Sequence, residues 1–217
     1  MNPDIYILLG FALLTQTYGL QALWLQQGLD FMKLSDRIIS DVATFRDGKK
    51  KFKEILKDGY TSKVFPNAGV EFEYLMIRLF ELSGLNICYP VSDKTQQIDG
   101  VIYLNQIPFL VESKFYKADK IDIEPIAKLM IRMQARPSYT MGLIIAKSGV
   151  TTAALEYMKF LQPKNIIVFQ GDEIDTAINR VTQKNKLFRM LLEKKVNALI
   201  ERGVFNYHLN AILEDIK

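Results

Sequence analysis

Cysteine and histidine are nearly missing from this chain of 217 residues: Cys88 and His208 are the only examples of each. A lone cysteine excludes a disulfide framework within the chain and any zinc site of the CxxC type. A lone histidine near the C-terminus argues against HNH, His-Asp and Ser-His-Asp chemistries, which all need an imidazole at the reacting centre. Acid–base work then falls to carboxylates, lysine or metal-bound water. Cys88 is expected to be a small buried apolar residue, and His208 has no identifiable partner.

Charge is missing from one long stretch. No charged side chain lies between Asp4 and Asp30, and Ile5–Leu14 is nearly continuous apolar sequence. The stretch has no basic n-region and no small-x-small cleavage site, so a secretory signal is not expected. Its length admits a transmembrane helix. Against that, Gln16, Gln21, Gln26 and Gln27 are spread around the helical wheel with Thr15 and Thr17, and each amide would need a partner in lipid. The preferred reading is a buried or dimer-forming helix in a cytoplasmic protein, with Trp24 and the nearby tyrosines as packing groups. Long Gly/Ser/Pro linkers, repeats and low-complexity tracts are also absent.

What is present is the composition of a folded protein: 49% hydrophobic and 24% charged. The length suits one α/β domain with helical additions. A net charge of +4 and a pI near 9.0 give a mild bias toward polyanions. Residues 1–60 read as helical, with a break at Gly28 and a second helix ending in the basic run Lys49-Lys50-Lys51-Phe52-Lys53. Residues 61–172 alternate helices and strands, and residues 173–217 are helical again. In that last region Lys184, Lys186, Arg189, Lys194, Lys195 and Arg202 decorate apolar positions, and a solvated helix face is preferred over a DNA-facing one.

Within the middle region, Val70–Phe80 has helical spacing, with Phe72, Leu75, Met76, Leu79 and Phe80 on one face and Ser83-Gly84 as its stop. Leu85–Val91 is a strand candidate. Val101–Leu104 and Phe109–Val111 are β-prone runs separated by Asn105-Gln106-Ile107-Pro108, which reads as a hairpin. Helices are expected over Ile121–Met133 and Val150–Leu161. The wholly apolar runs Met141–Ala146 and Asn165–Phe169 read as parallel strands covered on both faces. The expected order is α-β-β-β-α-β-α-β.

Asp99 opens the hairpin, and Glu112-Ser113-Lys114 closes it thirteen residues later. Strand side chains alternate, so Glu112 and Lys114 share a face while Ser113 points away. Two carboxylates and one ammonium converging on a small volume suit a hard divalent cation beside a reactive water, as in a metal-dependent phosphodiesterase. The competing reading is an exposed Glu112–Lys114 ion pair.

Four stretches carry a resemblance: Gly69-Val70-Glu71-Phe72-Glu73, Gln97–Ile102 around Asp99, Leu110–Lys114, and Gly142–Ala154. Together they resemble the PD-(D/E)xK nuclease superfamily, most closely its Mrr-like restriction endonucleases, over about residues 67–169. Ile98 stands where the motif name has proline. Glu112 stands where Mrr-like members often carry Gln. The resemblance implies a restriction-endonuclease-like mixed sheet flanked by helices and a metal-dependent DNA endonuclease acting in restriction or defence. It implies Mg²⁺ or Mn²⁺ held by Asp99, Glu112 and the Ser113 backbone carbonyl, with Glu73 reaching the metal through water. Lys114 would orient or deprotonate the attacking water. Gln134, Arg132 and Arg136 would contact the scissile phosphate. The implied partner is DNA, probed as a duplex by a homodimer. Alternatives stay open: a catalytically inactive DNA-binding or assembly subunit of the same fold, or a membrane-associated or oligomerisation protein acting through its N-terminal helix. Glu73 also reads as an ordinary first-turn acid. Glu71 competes for its role and is expected to face solvent. Asp122 and Glu124 before Pro125 begin a helix.

Overall fold

The two β-prone runs pair as an antiparallel hairpin whose turn is shorter than its polar break suggests. Only Asn105 and Gln106 form the turn, both with positive φ (49° and 70°), the two-residue geometry that matches strand twist. Ile107 and Pro108 therefore belong to the second strand, pairing with Leu104 and Tyr103. Pro108 is tolerated there because pairing on the other side of that strand begins only at Phe109, so its missing N–H costs no ladder bond.

The computed structural model describes residues 36–61, 68–89, 98–116 and 119–214. The expectations for the apolar N-terminal stretch and Trp24 fall outside them. The chain divides into Met1–Arg37 and Ile38–Lys217, and the elements below belong to the second unit. They are α1 (Phe45–Thr61), α2 (Ala68–Leu82), β1 (Asn86–Cys88), β2 (Gly100–Leu104), β3 (Ile107–Lys114), α3 (Ile123–Gln134), β4 (Met141–Ala146), α4 (Thr152–Phe160), β5 (Ile166–Gln170), α5 (Gly171–Arg180), α6 (Leu187–Arg202) and α7 (Leu209–Glu214). From α2 to β5 this is the expected order. Among the described residues, no helix is long and apolar enough to cross a membrane.

One mixed sheet runs β1-β2-β3-β4-β5. β1, β2 and β3 are antiparallel neighbours, and β3, β4 and β5 are parallel. The apolar β4 and β5 lie on the parallel side, as fully covered strands should. β1 is a three-residue edge strand with Cys88 exposed, so this cysteine is not the buried residue expected. An edge strand this short has no second layer over each side chain.

Register shows which helices cover which face. Gly100 pairs with Val111, and a Cβ on Gly100 would meet Ile77 of α2 at 2.8 Å. Gly142 pairs with Leu110, and a Cβ there would meet Met133 and Leu129 of α3 at 2.8 and 3.0 Å. Leu110 and Val111 are consecutive and point to opposite faces. Hence α2 and α3 lie on opposite faces, each seated against a strand at a glycine. α2 is buried nearly all round, because α1 and α6 pack on it as well. Phe80 of α2 meets Phe169 of β5 and Phe188 of α6 edge-on, at 5.7 and 5.2 Å between ring centroids.

Two charged segments sit differently from expectation. The basic run at Lys49 falls in the first half of α1, not at a helix end. Thr44 and Asp47 cap that helix reciprocally, the Asp47 carboxylate accepting from Thr44 N–H at 3.0 Å and Asp47 N–H donating to Thr44 Oγ1 at 3.3 Å. Lys195 is not on a solvated face either. It is 1% exposed, donates to the carbonyls of Val168 (2.9 Å) and Tyr207 (2.6 Å), and pairs with buried Glu173 at 2.7 Å. Val168 N–H donates to Phe205 carbonyl at 3.2 Å. α6 and the segment after it thereby close the outer edge of β5.

Phe80→Ala is expected to lower unfolding stability by about 3–5 kcal/mol in chemical denaturation. Phe160→Ala, at a position 81% exposed, is expected to change it by less than about 0.5 kcal/mol.

Candidate active site

The hairpin register, continued one step beyond Gly100↔Val111, sets Asp99 across from Glu112. Both carboxylates are buried. Asp99 Oδ2 accepts the Ser113 backbone N–H at 2.5 Å, which ties the aspartate to the strand opposite. Glu112 Oε1 lies 2.7 Å from Lys114 Nζ, so the two same-face residues of the strand meet as alternation requires. Glu112 Oε2 accepts from Arg132 of α3. The Glu112–Lys114 pair is thus a shielded contact and not the exposed ion pair that competed with it.

Helices from both faces converge on this end of the sheet. α2 carries Glu73 within electrostatic reach of Asp99, Lys114 and Glu112. Phe72 beside it meets Phe115, just past β3, with ring centroids 5.1 Å apart and planes tilted by 36°. α3 brings Arg132, seated by buried Leu129 and Met133.

Gathering carboxylates out of water opposes their ionisation. Burial, reinforced by the Asp99 charge and eased by Lys114, raises Glu73 to about 8. Burial and the Glu112 charge raise Asp99 to about 6, against the pull of Lys114, the Ser113 N–H and Arg132. Burial pushes the Lys114 ammonium down, but Glu112 and Asp99 outweigh it and the net shift is upward.

Asp99, Glu112, Ser113, Lys114, Glu73 and Arg132 are therefore together. Arg136 reaches the group through Arg132, donating to its backbone carbonyl. Among the described residues, Gln134 makes no hydrogen bond to the carboxylates: with Arg136, Met133 and Pro163 it lines an open groove of about 260 Å³ that none of the carboxylates borders. Glu71 does not face solvent. It is buried and lies 2.6 Å from Lys51 of α1. Residues two apart on a helix diverge by about 200°, so Glu71 and Glu73 serve different neighbours. The Arg132–Glu112 contact has no signal in the sequence beyond the position of Arg132 in the last turn of a helix. His208 has a partner after all, with Nε2 3.3 Å from Asp172 Oδ2.

Among the described residues, no group of three or more His, Cys, Asp or Glu is drawn tightly enough to hold an ion as it stands. The donor type does fit, since all are carboxylate or carbonyl oxygens, as a hard cation prefers. Burial first, and neighbouring carboxylates second, raise Glu73 and Asp99, and a divalent ion beside them would favour their ionised forms.

The family model Mrr_cat, described as restriction endonuclease, matches residues 67–178, just over half of the chain. The chain belongs to this restriction endonuclease family. Its fold is the mixed sheet with flanking helices that the family resemblance implied. Solved structures with similarity include AF1548, a protein of unknown function, at 17% identity and a TM-score of 0.39, covering 46% of this chain and 56% of that one. The DNA modification-dependent restriction endonuclease AspBHI is similar at 17% identity and a TM-score of 0.41, covering 65% of this chain and 35% of that one. The small subunit of the heterodimeric restriction endonuclease R.BspD6I is similar at 16% identity and 0.44, covering 68% and 87%. The chain thus spans about half the length of AF1548 and about a third of AspBHI. No curated protein matches the chain.

A carboxylate whose pKa is raised on folding keeps its proton in the folded state where the unfolded chain has lost it. Stability then falls as pH rises from the ordinary value toward the folded one. For Glu73 that window runs from 4.5 to about 8. With EDTA present, the unfolding midpoint is expected to drop across this interval in thermal melts, and Glu73→Gln to flatten most of the slope.

Proposed function

We propose that the chain is a divalent-cation-dependent endonuclease that hydrolyses DNA phosphodiester bonds, in restriction or defence against foreign DNA. The observation that carries this reading is Asp99 facing Glu112 across the hairpin with Lys114 on the same carboxylate. Asp99, Glu112 and the Ser113 carbonyl would hold Mg²⁺ or Mn²⁺, with Glu73 reaching it through water. When bound, the cation supplies Lewis-acid polarisation of the phosphoryl group and makes water more acidic. Lys114 orients the attacking water and offsets the charge that develops on phosphorus oxygens. Arg132, anchored on α3, would contact the scissile phosphate as a fork-shaped donor, with Arg136 donating to its backbone carbonyl. The nuclease core is proposed as residues 61–172 between helical regions 1–60 and 173–217. A duplex substrate, a homodimer that brings one such site to each strand, and a cytoplasmic location complete the reading.

A second reading is a DNA-binding or assembly subunit of this fold with inert carboxylates. The engagement of both Glu112 oxygens by side-chain cations favours it.

Purified protein is expected to cleave duplex DNA with Mg²⁺ or Mn²⁺ and to stop on EDTA addition. Asp99→Asn, Glu112→Gln and Lys114→Ala are each expected to slow cleavage at least about a hundredfold with circular dichroism unchanged. Undiminished cleavage by Glu112→Gln would overturn the proposal, and the absence of cleavage with any cation supports the second reading.

A further inference from the structure

Glu112 has two oxygens, and each already serves a cation. Lys114 Nζ holds Oε1 from the same strand, and Arg132 Nη1 holds Oε2 from α3. The two partners are not equivalent. Lys114 is carried with Glu112 by one strand. Arg132 comes from a different layer, and its position depends on how α3 lies on the sheet.

That position is well determined. Leu129 and Met133 press α3 onto β4 at Gly142, where a methyl group would already be too close. Arg136 holds the Arg132 carbonyl one turn further on. The guanidinium is 20% exposed and its carboxylate partner 4% exposed, so the contact is shielded from solvent on the carboxylate side. It is the kind of ionised hydrogen bond that costs most to replace.

Oε2 has a lone pair for each, but a guanidinium and a divalent ion on the same oxygen set like charges within a few ångströms of one another in a poorly solvated place, so each opposes the other. We propose that Arg132 is the competitor a divalent cation displaces from Glu112 Oε2, so that arrival of the cation and release of the guanidinium are one event. The inference rests on the metal-site reading above and adds a coupling to it. The freed guanidinium is the group offered to the DNA phosphate. Arg132 therefore acts as a positioning residue for Glu112 before it acts on substrate, and by linkage phosphate binding at Arg132 strengthens cation binding.

Calorimetric titration of the full chain with Mn²⁺ tests the competition. Arg132→Gln is expected to bind Mn²⁺ about tenfold more tightly than the unsubstituted chain, because one charge-assisted bond no longer has to be broken. The displacement itself is read by NMR. The Arg132 side-chain N–H signal, assigned by its loss in Arg132→Gln, is expected to shift toward the solvent-exposed position as Mg²⁺ is added. Asp99→Asn serves as the control and is expected to lose Mn²⁺ binding. Equal or weaker Mn²⁺ affinity in Arg132→Gln, or an Arg132 signal that stays fixed while the cation binds, overturns the competitor while leaving the site intact. Unchanged Mn²⁺ affinity in Asp99→Asn overturns the metal-site reading and the competitor with it.

Discussion

Asp99 faces Glu112 because Gly100 pairs with Val111, and that register is set at the opposite end of the hairpin by the turn at Asn105-Gln106. A slip of one residue would send every side chain of one strand to the other face. The two carboxylates would then be separated by the sheet. Five pairs with an apolar lining hold the register in place. Tyr103 and Leu104 lie at the turn end, and Val101, Leu110 and Val111 at the site end. The chemistry-bearing residues sit where the β2–β3 ladder ends, while Glu112, Ser113 and Lys114 stay paired with Ile144, Ile145 and Ala146 of β4 on the other side.

Two glycines extend that control to the helices. At Gly100, α2 comes close enough to the sheet for Glu73 to feel the charge of Asp99. At Gly142, α3 comes close enough for Arg132 to reach Glu112. The helices lie on opposite faces, so the group at the end of the hairpin draws on both layers. It is held by packing on each side and not by a loop.

This arrangement opposes stability locally. Three carboxylates share a poorly solvated volume, and two side-chain cations offset only part of the repulsion. Protein sites that concentrate shifted groups in this way are maintained by packing elsewhere. Here the Phe80, Phe169 and Phe188 cluster supplies such packing, as does the clamp of Lys195 on Glu173 and two backbone carbonyls. Both lie toward β5, away from the hairpin turn. They fix α2 and α6 against the parallel side of the sheet, and α2 in turn carries Glu73.

The parallel strands, the α2 face and the hairpin were legible because each depends on local pattern: unbroken apolar runs, 3.6-residue spacing, and alternation around a polar break. Asp99, Glu112 and Lys114 were legible for the same reason, since strand alternation and a hairpin suffice to bring them together. Sequence by itself therefore determined the sheet order near the site and the identity of its two facing carboxylates. It did not determine charge pairing between distant elements. Glu71 turns to Lys51, Lys195 is buried on Glu173, Cys88 lies open on an edge, and Gln134 stands outside the group while Arg132 enters it. Those outcomes follow from where one helix lies on another layer. Long charged side chains reach whichever opposite charge that packing delivers, and only the tertiary structure decided which charges met.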